Sequence, residues 1–198
     1  DTSPAQTFVI TVTPVNDAPS FTKGPDQTVL ENASAQTVNP WATGISAGPT
    51  DEAGQTLTFN LTGNTNPSLF SAGPAISPTG VLTYTPAANA SGSATITVTL
   101  SDNGSNAPPN INTSTPQSFA ITVTAVDDPP TAVDDPATVT EDDPATAIDV
   151  LANDTDPDGG PKLINSVTQP ANGTVVITGG GTGLTYQPNP NYCNTSPD

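Results

Sequence analysis

The chain repeats part of its own sequence at a fixed spacing. Residues 1–19 read DTSPAQTFVITVTPVNDAP, and residues 112–130 read NTSTPQSFAITVTAVDDPP. At an offset of 111 residues, 11 of the 19 aligned positions are identical. Self-similarity at a fixed period is typical of a row of like modules. We therefore expect residues 1–15 to be the final strand of one module, residues 16–126 to be a complete module, and residues 127–198 to be an incomplete third module.

A second internal match supports this division. The segment GVLTYTP at residues 80–86 resembles GLTYQP at residues 183–188, and an Asn follows three residues after each Pro, at Asn89 and Asn191. In the middle module this segment leads to two further strands, whereas the last module reaches Asp198 soon after it. The sequence also begins at Asp1 without a Met, so we expect a processed product or an excised fragment.

Alternation of apolar and polar residues is the main local signal, and it predicts strands. It runs through residues 7–13, 56–62, 95–100 and 119–124, with Thr at most of the outward positions. Thr suits the outer face of a strand because it is β-branched and polar. Gly, Pro, Asn and Asp separate the runs and predict turns. The pattern predicts an all-β protein of tandem immunoglobulin-like Greek-key β-sandwiches, with about seven strands in each complete module.

The charge balance excludes some partners. The chain has 19 acidic residues and only two basic ones, Lys23 and Lys162, for a formal net charge of −17. Nucleic acids and anionic membrane surfaces attract basic patches, so neither is an expected partner. Eleven of the acids lie between Asp127 and Asp158, interrupted by apolar residues that favour folded chain over an acidic tail.

The residue inventory argues against an enzyme. With no His, the chain can form neither a Ser-His-Asp triad nor a Cys-His pair, and a single Cys without His cannot build a zinc site. The glycine run at residues 179–181 lacks the Lys and Ser/Thr of a phosphate-binding loop. We predict no catalytic residues.

Calcium is the ligand that the acidic residues suit best. Ca²⁺ takes six to eight oxygen ligands from carboxylates, amide side chains and backbone carbonyls. Asp154, Asp156 and Asp158 alternate in a turn-rich segment, which places three carboxylates near one point. The segment is not an EF-hand, because no Glu closes the loop at the required distance and no helices flank it. The alternative is that Asp and Asn serve here only as turn formers.

Taken together, these motifs resemble a known kind of repeat. The linkers VNDAP at residues 15–19 and VDDPP at residues 126–130, the run Glu141-Asp-Asp, and VLANDTDPDG at residues 150–159 are similar to the cadherin-like and VCBS-type tandem repeats of large bacterial surface and secreted adhesins. The resemblance implies cadherin-like sandwiches and an extracellular, secreted or cell-surface location. It further implies a structural role as an extender in an adhesin or matrix fibre. In similar repeats the partner of a Cys at the position of Cys193 lies in the final strand of the same module. The third module is incomplete and lacks that strand, so Cys193 is expected to be unpaired.

The same resemblance implies calcium ions at the junctions between modules. Carried over to this sequence, the ligands at the second junction would be Glu31, Asp127, Asp128, Asp154 and Asp156, with Asp158 in the same acidic loop. At the first junction they would be Asn16, Asp17, Asp51 and Asp102. Asp51-Glu52-Ala departs from the Asp-x-Asp pattern of such repeats, which weakens the match at that junction.

Two further hypotheses remain open at this point. The loops at residues 44–54 and 101–112 could instead bind a glycan or a surface protein, which would make the chain an adhesion module. Separately, Phe8, Ile10 and Val12 have the alternation needed to complete the sheet of a following copy, which would give a head-to-tail filament by strand donation. The alternative to the filament is that the ends of the chain come from cloning, proteolysis or incomplete coverage.

Overall fold

The computed structural model describes residues 1–194, and the chain forms two compact units, residues 1–126 and residues 127–198. Within the described residues, regular structure consists of strands and three short 3-10 turns, at Thr50–Glu52, Pro67–Leu69 and Gly179–Gly181. No helix among these residues has the length and apolar character needed to cross a membrane.

The first unit is a β-sandwich. Its strands are β1 (Ser20–Thr22), β2 (Gln27–Leu30), β3 (Gln36–Val38), β4 (Thr43–Ser46), β5 (Thr58–Asn64), β6 (Phe70–Ile76), β7 (Leu82–Pro86), β8 (Gly92–Ser101) and β9 (Gln117–Thr124). One sheet has the order β2-β9-β8-β5, the other has the order β3-β7-β6, and β1 pairs separately with β4. All pairings are antiparallel except that of β2 with β9, which is parallel.

The core of this unit follows from the alternation in the sequence. Ala94, Ile96 and Val98 on β8 are fully buried, as is Leu82 on the opposing sheet. Burial of an Ile, Val or Leu side chain contributes about 1.5–3 kcal/mol. The ring of Trp41 lies 4.3 Å from that of Phe119 (centroid to centroid) and is also buried. The predicted all-β immunoglobulin-like fold is confirmed.

The second unit contains one antiparallel sheet among residues 127–194. Its order is β10-β12-β11, formed by β10 (Thr146–Ile148), β11 (Gly173–Thr178) and β12 (Gly183–Pro188). This sheet repeats part of the first unit: Tyr186 pairs with Thr146 just as Tyr84 pairs with Gln36. Tyr84 is buried, and this burial raises the pKa of its phenol, whereas Tyr186 is only half-buried.

Residues 1–19 do not form a strand with any described residue. The run from Thr7 to Thr13, which the sequence predicts as a strand, pairs with no strand of the described residues, and Phe8, Val9 and Val12 are more than four-fifths exposed. A strand requires hydrogen-bonding partners on a neighbouring edge, and none of the described residues offers one to this segment. Its pairing in a neighbouring module remains a prediction.

Candidate metal site

A network of polar side chains surrounds Asn16 at one end of the first unit. The Asn16 side-chain amide donates hydrogen bonds to Asp102 Oδ1 (3.1 Å) and to the carbonyl of Ile111 (2.9 Å). Its Oδ1 accepts a hydrogen bond from Gln55 Nε2 (2.6 Å), and its backbone N–H donates to Asn110 Oδ1 (2.8 Å). Asn16 therefore joins the start of the complete module to two loops, the one between β4 and β5 and the one between β8 and β9.

The next residue in the chain extends this network to a buried glutamate. The backbone N–H of Asp17 donates to Glu52 Oε1 at 2.7 Å. Glu52 lies in the 3-10 turn at residues 50–52, and only 5 % of its surface is exposed. A Cβ atom added to Gly48 would lie 1.8 Å from Glu52 Oε2, so the close approach of backbone to carboxylate requires glycine there.

Three side-chain oxygens in this network are buried without a hydrogen-bond partner. They are Glu52 Oε2, Gln55 Oε1 and Asp102 Oδ2. Asp102 is 7 % exposed, and its other oxygen accepts from Asn16 and from the backbone N–H of Gly104 (2.8 Å). Buried carboxylate oxygens are costly unless a donor or a cation satisfies them. With two carboxylates and one amide oxygen unsatisfied at one end of the sandwich, the donor set suits a hard cation such as Ca²⁺.

Of the four ligands predicted for the first junction, three lie in this network and one does not. Asn16, Asp17 and Asp102 belong to the network described above. Asp51 shares the 3-10 turn with Glu52, but its side chain is exposed. Sequence reasoning missed Glu52 and Gln55. The acidic pair at residues 51 and 52 was the available signal, but the spacing did not reveal which of the two would point inward.

The acidic loop of the second unit, which contains Asp154, Asp156 and Asp158, is hydrogen-bonded to the segment that precedes it. Asp158 Oδ2 accepts the backbone N–H of Asp128 (2.6 Å), and Asp154 Oδ1 accepts that of Val133 (2.8 Å). Thr131 and Thr155 form a backbone bridge between these two bonds. The predicted loop residues Asp158 and Asp154 are thus hydrogen-bonded to Asp128 and Val133, respectively, within one unit.

Three further hydrogen bonds shape this loop from inside. Asp156 Oδ1 accepts the N–H of Asp158 (2.9 Å), which is an Asx turn. The ammonium of Lys162 donates to the carbonyls of Leu151 (2.9 Å) and Asp154 (2.6 Å). Asp156 therefore forms a turn in this loop, whereas Asp154 and Asp158 accept hydrogen bonds from the preceding segment. These hydrogen bonds use one oxygen of each carboxylate and leave metal binding open to the other.

One hydrogen bond occurs in both units. Asp17 and Asp128 are equivalent in the internal repeat, and the backbone N–H of each donates to a carboxylate of the following acidic turn, Glu52 in the first unit and Asp158 in the second. The equivalence identifies Glu52 and Asp158 as counterparts, although one is a glutamate and the other an aspartate.

The remaining predicted ligands have different environments. Glu31 is 4 % exposed, and its Oε1 accepts the backbone N–H of Val126 at 2.6 Å. Its own N–H donates to Thr124 (2.9 Å), so Glu31 extends the parallel pairing of β2 and β9 to the end of the unit. Asp127 is exposed. Whether these residues bind a metal remains a prediction.

Comparison with known proteins identifies the repeat. A sequence-family model described as "Bacterial Ig domain" matches residues 16–115 and again residues 127–196. No curated protein sequence matches the chain. The two matched ranges cover most of the sequence and support the predicted resemblance to bacterial immunoglobulin-like and cadherin-like repeats.

A solved structure supports the same fold, and a second was compared with the chain. Mouse cadherin-23 EC22–24 superposes with a TM-score of 0.51 at 19 % identity, covering 86 % of this chain and 54 % of that one. The human desmocollin-1 ectodomain gives a TM-score of 0.39 at 19 % identity, over 87 % of this chain and 34 % of that one. The chain thus spans about half or less of the length of these structures. At this identity the first likeness establishes the shared fold.

Proposed function

The chain belongs to the bacterial Ig domain family, and we propose that it is an extender module of an extracellular repetitive adhesin or matrix fibre, stiffened by calcium. The role is mechanical and not catalytic. The observation that carries the calcium proposal is the set of three buried, unpartnered oxygens on Glu52, Gln55 and Asp102.

The residues at this end of the first unit fit a calcium ion chemically. Ca²⁺ binds carboxylate and amide oxygens without a strict geometry, and these are the groups that lack partners here. Glu52, Gln55 and Asp102 would supply ligands directly, while Asn16 and Asp17 hold those side chains in place through the hydrogen bonds described above. A bound cation would remove the cost of burying the two carboxylates, so binding would stabilise the folded unit.

A second set of ligands is proposed from the sequence resemblance. It consists of Glu31, Asp127, Asp128, Asp154, Asp156 and Asp158. Like charges gathered near one linker repel one another, and a divalent cation would neutralise that repulsion and stiffen the linker. The pairing of Asp128 with Asp158 within the second unit supports this assignment, because it gathers two of these acids in one loop.

Calcium binding in the first unit can be tested by melting followed through tryptophan fluorescence. Trp41 is the only Trp in the chain and is buried in that unit, so its emission reports the unfolding of that unit. Millimolar calcium should raise the melting temperature by about 5 °C or more relative to a chelator. Glu52→Gln should abolish most of this shift. Asp51→Asn is the matched control in the same turn and should retain it.

Identical melting curves with calcium and with chelator would refute calcium binding by the first unit. The second set of ligands is tested separately by isothermal titration, comparing Asp156→Asn with Asp149→Asn. Both substitutions remove one charge, but only Asp156 belongs to the proposed site. Loss of one binding event in Asp156→Asn alone is the expected result.

We also propose that the partners of this chain are neighbouring modules of the same kind, including other copies of the chain. The apolar, exposed side chains of Phe8, Ile10 and Val12 support this proposal, because they have the alternation of a core strand. Such a strand is stable only when another sheet edge receives it.

A further inference from the structure

The loop between β8 and β9, residues 102–116, folds without an apolar core of its own. None of residues 103–113, all of which the structure describes, is buried, and none belongs to the core of the first unit. The tip at residues 105–109 is exposed throughout, and Ile111 is 53 % exposed. Segments with few buried apolar contacts open most easily in a folded protein. The closed form of this loop therefore depends on polar contacts.

Most of the contacts that fasten the loop are made to Asn16, which lies outside it. The carbonyl of Asn16 accepts the backbone N–H of Ile111 (2.9 Å), and its side chain donates to the carbonyl of Ile111 (2.9 Å). The backbone N–H of Asn16 donates to Asn110 Oδ1 (2.8 Å). Asn103 Oδ1 accepts the backbone N–H of Thr56 (2.9 Å), which joins the loop to the one between β4 and β5 as well.

Asp102 stands at the root of the loop, directly after β8, and carries a buried charge. Its Oδ1 accepts hydrogen bonds from Asn16 (3.1 Å) and from the N–H of Gly104 (2.8 Å), while its Oδ2 is buried without a partner. Its backbone N–H donates to the carbonyl of Asn112 (3.1 Å), which closes the loop. The closed loop thus buries a carboxylate with one oxygen unsatisfied, and this is costly unless a cation lies against it.

We propose that the loop between β8 and β9 is a calcium-operated switch. A cation at Asp102 holds the loop closed on Asn16, and the loop opens when the cation leaves. The inference rests on the calcium binding proposed above and names what that binding controls. A ligand shifts an equilibrium only by binding one state better, and the calcium ligands come together only when the loop is closed. Since the closed loop gains no apolar burial, nothing else offsets the cost of the Asp102 charge.

Amide hydrogen exchange of the full chain, followed by mass spectrometry of peptides from residues 103–112, tests the switch. The N–H groups of Gly104, Ile111 and Asn112 are hydrogen-bonded in the closed loop. Millimolar calcium should slow the exchange of these peptides at least about tenfold relative to a chelator, the size of effect expected from leaving one buried polar group unsatisfied. Equal exchange in calcium and in chelator would overturn the proposal.

Peptides from residues 64–69 are the internal control. The N–H of Thr65 donates to the carbonyl of Thr95 (3.1 Å). Thr95 precedes Asp102 on β8 by about 23 Å of extended chain, so this segment lies away from the proposed switch. Its exchange should be the same in calcium and in chelator. A calcium effect of equal size on both segments would show general stabilisation of the unit and would refute a local switch.

Asp102→Asn separates the switch from calcium binding. The amide keeps an oxygen that accepts hydrogen bonds but removes the buried charge, so the loop should remain closed in chelator, with slow exchange and no response to calcium. Asp51→Asn is the matched control, since it makes the same change at an exposed acid in the neighbouring loop. It should exchange fast in chelator and slowly in calcium, like the unsubstituted chain. The melting transition of Trp41 shows that each variant is folded. Fast exchange of folded Asp102→Asn in chelator would refute the switch.

The two proposals fail in different ways. If calcium raises the melting temperature of the first unit but leaves the exchange of residues 103–112 unchanged, the calcium site stands and the switch is wrong. If calcium changes neither the melting temperature nor the exchange, the calcium proposal fails and the switch fails with it.

Discussion

At the scale of single residues, the end of the first unit depends on small differences between neighbours. Asp51 and Glu52 carry the same charge and share one 3-10 turn. The side chain of Asp51 is exposed, whereas that of Glu52 is buried beside Gly48 and is only 5 % exposed. The sequence predicted Asn16, Asp17 and Asp102 as site residues, since each stands in a linker or turn motif. It could not predict Glu52 and Gln55, because their direction is set by the conformation of the turn and not by spacing.

Gly104 tests the packing of this network. A Cβ atom at this position would lie 1.9 Å from Asn16 Oδ1, so Gly104→Ala should displace the Asn16 side chain that joins Gln55 to Asp102. We expect a loss of about 1–3 kcal/mol in the free energy of unfolding, together with a smaller calcium-induced shift in melting temperature. Gly54→Ala is the control, because a Cβ there would meet nothing within 4 Å. Equal stability of the two variants in urea denaturation would show that the Asn16 network is not tightly packed.

At the scale of elements, alternation predicted three of the long strands and failed for the short ones and for β6, which has seven residues. Strands β5, β8 and β9 follow runs of alternating residues over buried positions. Strands β1 to β4 have only three or four residues each, too few for alternation to be recognised. The run at residues 7–13 alternates as clearly as β9 but pairs with no described residue, because a strand pattern does not supply the partner that a strand requires.

The repeated hairpin allows a matched comparison of burial between the two units. Leu82 and Leu184 are equivalent, but Leu82 is completely buried while Leu184 is half-buried. Leu82→Ala should lower the free energy of unfolding of the first unit by about 2–5 kcal/mol, as for other fully buried leucines. Leu184→Ala should leave the Trp41 fluorescence transition unchanged, since Trp41 lies in the other unit. A comparable shift of that transition by both variants would show that the units do not unfold independently.

At the scale of the whole molecule, charge dominates the behaviour in solution. Nineteen acidic residues are balanced by only two lysines, which leaves a net charge of −17, and Lys162 donates both its described hydrogen bonds to backbone carbonyls. Self-repulsion of this size destabilises a compact state, and dissolved salt screens it over about 10 Å at 0.1 M ionic strength. Any cation will therefore stabilise the chain to some extent, and specific calcium binding must exceed that general effect.

Magnesium separates the two effects, because it has the same charge as calcium but demands octahedral geometry at shorter distances and dehydrates reluctantly. With ionic strength held constant, about 5 mM calcium should raise the melting temperature of the first unit, whereas the same concentration of magnesium should give less than about half of that shift. The expected difference arises from the buried oxygens of Glu52, Gln55 and Asp102. These oxygens can bind a large ion that accepts a flexible coordination geometry and gives up its water ligands readily. The difference between calcium and magnesium should disappear in the double variant Glu52→Gln, Asp102→Asn. In that variant both ions should raise the melting temperature no more than sodium chloride does. If calcium and magnesium stabilise the unsubstituted chain equally, charge screening is sufficient and the calcium site at this end of the sandwich must be abandoned.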